Sequence, residues 1–243
     1  MISQEQTRTT QTAKPLGETA APKLPLRVFS IYVLMFFAVW SVRALILIRV
    51  DESIQSSLWK NVFSNTIKFL IWVVPVFVTL GVWRIRPLNY LKLSTPINKR
   101  GLLVSIIVVT VWLSLVIIGE SMISGKSMAS MLSQRSSDWL SMLAGVSLSP
   151  VSEEILFRGF FLNRLNESFS FWMANSISAL LFAAAHMPYW LSRNGLSAHV
   201  IKDILNVFLL GCLFGWVMKK SNSLWPAIGA HIANNFLSGL IHG

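Results

Sequence analysis

Long apolar stretches recur along the chain, separated by short polar segments. Seven of them approach the roughly 20 residues that a helix needs to cross a bilayer core of about 30 Å. The pattern therefore predicts an all-α, polytopic transmembrane bundle of about seven helices, within a range of six to eight. The predicted spans are 28–48, 62–83, 101–119, 139–162, 171–191, 200–218 and 224–241.

The composition supports a membrane protein and excludes an ordinary soluble domain. Hydrophobic residues make up 53% of the chain and charged residues only 13%, whereas soluble domains carry about 25% charged residues. The chain has one cysteine, Cys212, in an apolar stretch. A single cysteine excludes a disulfide framework, so we interpret Cys212 as a small core residue.

The net charge of +11 is explained by the position of the cations. The polar segment between the second and third spans has no acidic residue and five basic ones, namely Arg84, Arg86, Lys92, Lys99 and Arg100. Cytoplasmic loops of membrane proteins are enriched in Lys and Arg. The charge therefore predicts a multi-pass protein of the plasma membrane with a cytoplasmic N-terminus. It also predicts membrane lipids, and no nucleic acid, as partners.

Several residues within the spans have structural interpretations. Arg43 and Lys68 lie in the first two spans, where long cationic side chains can reach the interface. Pro188 is expected to end the fifth helix. Gly211 and Gly215 have the spacing of small residues that pack helices closely.

Three of the last four spans carry polar side chains that a bilayer disfavours. Because ionisable groups within a membrane cost free energy, each is a candidate functional residue. Glu153, Glu154 and Arg158 lie in the fourth span, His186 in the fifth, and His231 and Asn235 in the seventh. Together, carboxylate, imidazole and amide groups can position a water and stabilise an oxyanion, which indicates a hydrolase.

Helical spacing assigns partners to some of these residues. Glu154 and Arg158 are four residues apart, with the acid first, which favours an ion pair on one helix face. That pair leaves Glu153, about 100° around the helix, as the spare carboxylate. His231 and Asn235 share the same spacing and can point at one spot. Pro150 permits a helix start or kink near Glu153.

These three motifs resemble those of the CPBP family of intramembrane proteases. This family includes the CAAX prenyl endopeptidases and the bacterial Abi or bacteriocin-processing proteins. The resemblance covers residues 148–235, through Glu-Glu-x-x-x-Arg at 153–158, Phe-x-x-x-His at 182–186 and His-x-x-x-Asn at 231–235. The polar composition of the N-terminus predicts a disordered cytoplasmic tail at 1–27, and hydropathy predicts N-terminal transmembrane helices at 28–137. The resemblance implies a catalytic transmembrane core at 138–243.

The resemblance also implies roles for the six residues in an endopeptidase that acts on a membrane-associated protein or peptide. Glu153 is the general base that activates a water, and His186 helps to hold that water. His231 and Asn235 stabilise the tetrahedral oxyanion. Glu154 and Arg158 support the site structurally. Both lipidated and non-lipidated protein or peptide substrates are consistent with the resemblance.

A zinc-dependent version of the same protease is an alternative. Its ligands would be Glu153, His186 and His231, since two imidazoles and a carboxylate form a known catalytic zinc set. The metal-free route, with no cofactor, is favoured because Asn235 is a poor zinc ligand and a good oxyanion donor. Two further alternatives are a non-catalytic scaffold or bacteriocin-immunity protein and a small transporter with a proton relay.

Overall fold

The computed structural model describes residues 23–125 and 139–242, and all regular secondary structure in these two ranges is helical. The predicted all-α class is therefore confirmed. Two π-helical segments, Arg43–Leu47 and Ile155–Leu162, connect α-helices end to end. The α-helices are α1 Leu26–Val42, α2 Ile48–Ser53, α3 Ser57–Trp72, α4 Val74–Val82, α5 Pro87–Tyr90, α6 Lys99–Ser124, α7 Trp139–Glu154, α8 Asn163–Asn166, α9 Phe171–Asn194, α10 Ala198–Ser221 and α11 Trp225–His242.

Four helices of the described part are long and apolar enough to cross a membrane. They are Leu26–Ile46, Ser57–Val82, Lys99–Gly119 and Ala198–Ser221. The other predicted spans coincide with α7 to α8, α9 and α11, which carry the acidic, imidazole and amide groups. The count of seven spans stays a prediction, because the polar side chains make these three helices less apolar than the rest.

The predicted N-terminal tail lies mostly outside the described residues, which begin at Lys23. Within the described part, Leu24 is buried and helix α1 begins at Leu26. The carbonyl of Leu24 accepts a hydrogen bond of 2.6 Å from Nε of Arg164, which lies in helix α8, just after the π-helical segment Ile155–Leu162. The predicted boundary near 137 also falls outside the described residues.

Aromatic side chains pack the π-helical segment Ile155–Leu162 against α1 and α3. All eight residues of this segment are buried. The ring centroids of Phe29 and Phe161 are 5.4 Å apart, and those of Trp72 and Phe157 are 5.5 Å apart, both edge to face. Because lipid tails are as apolar as these rings, close packing rather than hydrophobicity holds such helices together. This packing fixes the helix that begins with α7 and carries the two glutamates.

Pro150 and Pro188 both lie inside helices that continue past them. Helix α7 continues through Pro150, and the departure from α-helical geometry starts later, at Ile155. The prediction that Pro188 ends the helix of the fifth span is wrong, because that helix, α9, continues to Asn194. Transmembrane helices tolerate proline where neighbours satisfy the freed backbone groups. Pro188 has no N–H for the carbonyl of Ala184. Nε1 of Trp40 donates to the neighbouring carbonyl of Ala185 over 2.7 Å and so holds this turn of α9.

Helices α9 and α10 pack closely at Gly211 and Gly215, which have no side chains to hold the helices apart. A Cβ atom on Gly211 would lie 2.8 Å from Cβ of Ala179, and one on Gly215 only 1.9 Å from Oδ1 of Asn175. The Asn175 amide in turn donates to the carbonyl of Cys212 over 2.9 Å. The predicted packing role of the two glycines is confirmed.

The loop after α5 anchors the start of α11. The carbonyl of Lys92 accepts from the backbone N–H of Leu224 over 3.0 Å, and Nε1 of Trp225 donates to the carbonyl of Leu93 over 2.9 Å. These bonds fix where α11 enters the bundle. They therefore set the height of His231, which lies six residues further along this helix.

Candidate active site

Glu154 lies at the centre of a buried polar network. Its Oε1 accepts from Nη1 of Arg158 over 2.9 Å and from Nδ1 of His231 over 2.7 Å. Glu154 is 0% exposed, Arg158 1% and His231 4%. The predicted Glu154–Arg158 ion pair is confirmed, and the structure adds His231 from α11 to the same oxygen. A carboxylate between two donors is a charge-assisted arrangement that fixes both partners.

Glu153 is not the spare carboxylate that the helical spacing predicts. The ammonium of Lys68 on α3 forms an ion pair with its Oε1, and Oγ of Ser149 donates to the same oxygen over 2.7 Å. Its Oε2 lies 3.5 Å from Nε2 of His231. The prediction is wrong because the partner comes from a helix 85 residues earlier, which spacing along one helix cannot indicate.

Lys68 is therefore the site residue that sequence reasoning missed. Its ammonium also lies 2.6 Å from Oγ of Ser149 and 4.4 Å from the ring centroid of Trp72. The interpretation that Lys68 reaches the interface is wrong, since the side chain is only 14% exposed. Its position twelve residues into α3, within a predicted span, was the available signal, because intramembrane cations commonly pair with acids.

Arg43 is a second cation that is paired within the bundle. Its guanidinium forms an ion pair with Asp51 on α2, and both side chains are buried. Oγ of Ser64 is a further partner, at 3.3 Å. The π-helical segment Arg43–Leu47 and helix α2 bring the two charges together within eight residues of chain.

His186 is held by its own helix. Its Nδ1 lies 2.8 Å from the carbonyl of Phe182, an acceptor, so this nitrogen carries the proton that is donated. The ring packs edge to face on Phe182 at 4.9 Å and beside Trp190 at 5.2 Å. Nε2 of His186 is then the nitrogen that remains for a water or substrate.

His231 is oriented by aromatic neighbours as well as by Glu154. Its ring stacks on Phe214 of α10 at 4.7 Å and meets Phe182 of α9 edge to face at 5.9 Å. Since Nδ1 donates to Glu154, Nε2 points towards Glu153. The structure thus brings together five of the predicted or newly found groups: Glu153, Glu154, Arg158, His231 and Lys68.

Asn235 is the predicted site residue that has no described contact with this cluster. It lies one turn after His231 on α11 and is half-buried. Its described hydrogen bond is a long one, 3.5 Å, from Nδ2 of Asn234. Its part in an oxyanion site stays a prediction.

A cavity of about 370 Å³ reaches the cluster. Lys68, Trp72 and His186 line its inner part. Its outer part is lined by side chains near helix ends, among them Arg43, Asp51, Lys60 and Arg193. Because α1 and α9 finish and α3 begins on this side, the cavity extends to the end of the bundle opposite Leu26. Water and an extended peptide therefore have room beside Lys68 and His186.

The zinc set considered from the sequence does not fit the described arrangement. The described residues contain no group of three His, Cys, Asp or Glu side chains placed to hold a metal ion. The ammonium of Lys68 occupies Oε1 of Glu153 and supplies the positive charge that a cation would otherwise supply. A catalytic zinc needs three converging protein ligands and an open position, which Glu153, His186 and His231 do not provide as they stand.

Comparison with known proteins finds a similarity in the C-terminal half of the chain. Residues 135–237 match the family described as Type II CAAX prenyl endopeptidase Rce1-like. No significant match was found among curated proteins or among solved structures. The matched range contains the six residues predicted from the sequence, whereas Lys68 lies outside it. The predicted resemblance to the CAAX prenyl endopeptidases is confirmed. With four helices apolar enough to cross a membrane in its described part, the chain is an integral membrane protein whose residues 135–237 are similar to the Rce1-like type II CAAX prenyl endopeptidases.

Proposed function

We propose that this protein is an intramembrane endopeptidase that cleaves a membrane-associated protein or peptide with a water activated by Glu153. The family match supports a protease of the CAAX type. The observation that carries the proposal is the convergence of Glu153 and His231, with Nε2 of His231 3.5 Å from the second oxygen of Glu153. A cavity lined by His186 and by Lys68, the ion-pair partner of Glu153, gives substrate a place next to the cluster.

In this mechanism Glu153 accepts a proton from water as the water attacks the scissile carbonyl. His186 holds that water through Nε2, because its Nδ1 is committed to the carbonyl of Phe182. A well-placed general base contributes roughly 10²- to 10⁴-fold in rate. A base within hydrogen-bond reach of two donors and a neighbouring imidazole is held in one position, which favours proton transfer.

The oxyanion of the tetrahedral intermediate is stabilised by His231 and Asn235. Both lie on α11, one turn apart, so both can face the same point. Glu154 and Arg158 are positioning residues, since Glu154 holds the imidazole of His231 through Nδ1. Such fixed donors act without reorganising during the reaction, and removing one costs about 10²- to 10³-fold in kcat in a well-studied hydrolase.

We favour hydrolysis without a metal cofactor. The ammonium on Glu153 and the lack of a three-ligand group among the described residues support this route. The alternative is the zinc-dependent protease with Glu153, His186 and His231 as ligands. The two routes differ in their response to chelation, because only the zinc-dependent route loses activity when metal is removed.

The proposed location is the plasma membrane, with the N-terminus in the cytoplasm. The acid-free basic segment at 84–100 supports this orientation. The partners are then membrane lipids and a protein or peptide substrate, with or without a lipid group, and not nucleic acid. In this orientation the cavity lies towards the non-cytoplasmic end, and we expect the cleavage site to enter from that end.

The test is Glu153→Gln, compared with wild type by mass spectrometry of membrane peptides. We expect cleavage products to disappear while the variant still inserts and elutes as a folded protein in detergent. Glu167→Gln is the matched control, because Glu167 lies next to α8, outside the site, in a 3.6 Å ion pair with Arg164. Its product pattern should equal that of wild type.

Other outcomes identify other functions. Retained proteolysis in Glu153→Gln contradicts the role of Glu153. If wild type yields no cleavage products and Glu153→Gln leaves the phenotype of the cells unchanged, the protein is a scaffold or bacteriocin-immunity protein. The polar network is then structural. Loss of pH-dependent transport instead of proteolysis indicates a transporter with a proton relay.

A further inference from the structure

Hydrolysis of a peptide bond needs an acid as well as a base. After water attacks, the leaving nitrogen must gain a proton before the C–N bond breaks, because an amide anion is a poor leaving group. Glu153, once it has taken the proton of the attacking water, can return that proton to the nitrogen itself, as a general base does in other proteases. A second route uses a neighbouring group that carries a proton, lies beside the cavity and is reprotonated by Glu153.

Lys68 has these properties. Its ammonium is in direct contact with Oε1 of Glu153 and is 2.6 Å from Oγ of Ser149. Its side chain also lines the cavity that His186 lines. An ammonium carries three N–H donors. It can hold Glu153 and Ser149 with two of them and direct the third to a substrate in the cavity.

The two imidazoles are less suited to this step. Nδ1 of His186 carries its proton towards the carbonyl of Phe182. The Nδ1 proton of His231 is donated to Glu154, and its oxyanion role uses a proton on Nε2, so neither N–H group is left for the leaving amine. Arg158 is buried in the ion pair with Glu154 and, as a guanidinium, does not give up a proton. Among these described groups, Lys68 combines a transferable proton that has no other assigned role with direct contact with the base.

We propose that Lys68 is a further catalytic residue, the general acid that protonates the leaving amine. Glu153 takes one proton from water, and the hydroxide forms a C–O bond to the carbonyl carbon. Lys68 then gives a proton to the leaving nitrogen as the C–N bond breaks. The protonated Glu153 returns its proton to the neutral Lys68 amine across their hydrogen bond. One water is consumed, and both side chains are restored.

This proposal rests on the proposed protease function, and it makes a prediction that depends on the leaving group. The probes are a peptide that spans a cleavage site mapped in the membrane-peptide comparison, and the 4-nitrophenyl ester of its N-terminal half. A 4-nitrophenolate leaves as an anion and needs no proton. Hydrolysis of the ester therefore needs Glu153 but not a general acid.

The first variant is Lys68→Arg, which keeps a cation beside Glu153 but cannot donate its proton. We expect kcat/KM for the peptide to fall by about 100-fold or more, at the lower end of general acid contributions. We expect kcat/KM for the ester to change less than about threefold. Lys219→Arg is the matched control, since Lys219 is an exposed lysine at the far end of α10, over the ring of Phe171. It should leave both rates unchanged.

A second experiment does not depend on how well arginine fits. Lys68→Cys is made in a Cys212→Ala background, which removes the chain's single native cysteine. Alkylation with 2-bromoethylamine attaches a primary ammonium of nearly the length of lysine. Alkylation with (2-bromoethyl)trimethylammonium attaches a fixed charge without a proton. Only the first should restore peptide cleavage, and both should support ester hydrolysis.

The outcomes separate the two proposals. Glu153→Gln that hydrolyses both probes at the wild-type rate overturns the protease mechanism itself. If Glu153→Gln is inactive but Lys68→Arg loses peptide and ester hydrolysis equally, Lys68 is structural and the general-acid role is wrong. Equal rescue by the two alkylating reagents overturns that role as well, because charge alone would then be sufficient.

Discussion

Nδ1 of His231 donates to Oε1 of Glu154 over 2.7 Å, although 77 residues separate the two along the chain. The same oxygen accepts from Arg158 at 2.9 Å. Glu154 thereby ties the helix that carries both glutamates to the helix that carries His231 and Asn235. Glu154 therefore holds an imidazole from another helix beside Glu153, which gives a physical meaning to its predicted structural role.

Glu154→Gln should destabilise the protein more than other glutamate substitutions. The change leaves the guanidinium of Arg158, which is 1% exposed, without an opposite charge. Breaking a buried ion pair from one side costs about 3–5 kcal/mol. Thermal unfolding in detergent measures the effect. Glu167→Gln is the control, because its partly exposed pair with Arg164 at 3.6 Å should contribute about 0–1 kcal/mol. Equal losses in the two variants would contradict the central position of Glu154.

Arg158→Met should couple to Glu154→Gln. Each single change leaves one buried group without its partner, whereas the double change removes both charges. Directly interacting residues show coupling of about 0.5–3 kcal/mol. We expect the double variant to unfold at a temperature higher than additivity predicts. Additive losses in a double-mutant cycle would mean that the 2.9 Å contact contributes nothing specific to folding.

Peptide cleavage should survive exhaustive chelation. The ammonium of Lys68, rather than a metal ion, neutralises Glu153 in the described site. Activity is measured after dialysis against a strong zinc chelator, together with the zinc content of the purified protein by mass spectrometry. Complete loss of cleavage that added zinc restores would favour the zinc-dependent alternative over the metal-free route.

Gly215→Ala should destabilise the bundle, and Gly81→Ala should not. A Cβ atom on Gly215 would lie 1.9 Å from Oδ1 of Asn175, so the Asn175 side chain would have to leave its bond to the Cys212 carbonyl. Overpacking of this kind costs about 1–3 kcal/mol. A Cβ atom on Gly81 meets nothing within 4 Å. The midpoints of thermal unfolding in detergent test this, and similar midpoints for both variants would contradict the close packing of α9 on α10.

Cysteine labelling in intact cells should reveal the orientation of the chain. In the Cys212→Ala background, Leu196→Cys lies in the turn between α9 and α10, and Ile97→Cys lies in the loop before α6. Leu196 is 79% exposed and Ile97 41% exposed, so both positions are accessible to a reagent. With a cytoplasmic N-terminus, a membrane-impermeant maleimide should label position 196 in intact cells and position 97 only after lysis. The reverse pattern would place the N-terminus outside.

Within single helices, the sequence was a good guide to the site. The spacing of Glu154 and Arg158 predicts a pair that the structure contains, because four residues of α-helix bring two side chains to the same face. The spacing of Gly211 and Gly215 predicts close packing for the same geometric reason. Helix α9, which corresponds to the fifth predicted span, begins at Phe171, as its apolar pattern predicts.

Between helices, the sequence left the partners undefined. The pairing of Lys68 with Glu153 and the contact of His231 with Glu154 depend on the rotation and height of α3 and α11 in the bundle. The aromatic cluster around Trp72 and Phe157 sets the position of α3. The hydrogen bonds to the carbonyls of Lys92 and Leu93 set the position of α11. Such contacts link distant segments, so no spacing along one helix predicts them.

By itself, then, the sequence determined that the chain is an all-α membrane protein and which polar residues are exceptional in it. Both conclusions follow from the cost of placing charge in a bilayer, which acts on each residue separately. Only the tertiary structure decided which charges meet: that Glu154 binds His231 and that Glu153 is paired with Lys68. The physical reason is that ion pairs are short-ranged and directional, so they form only where packing brings two helices into register.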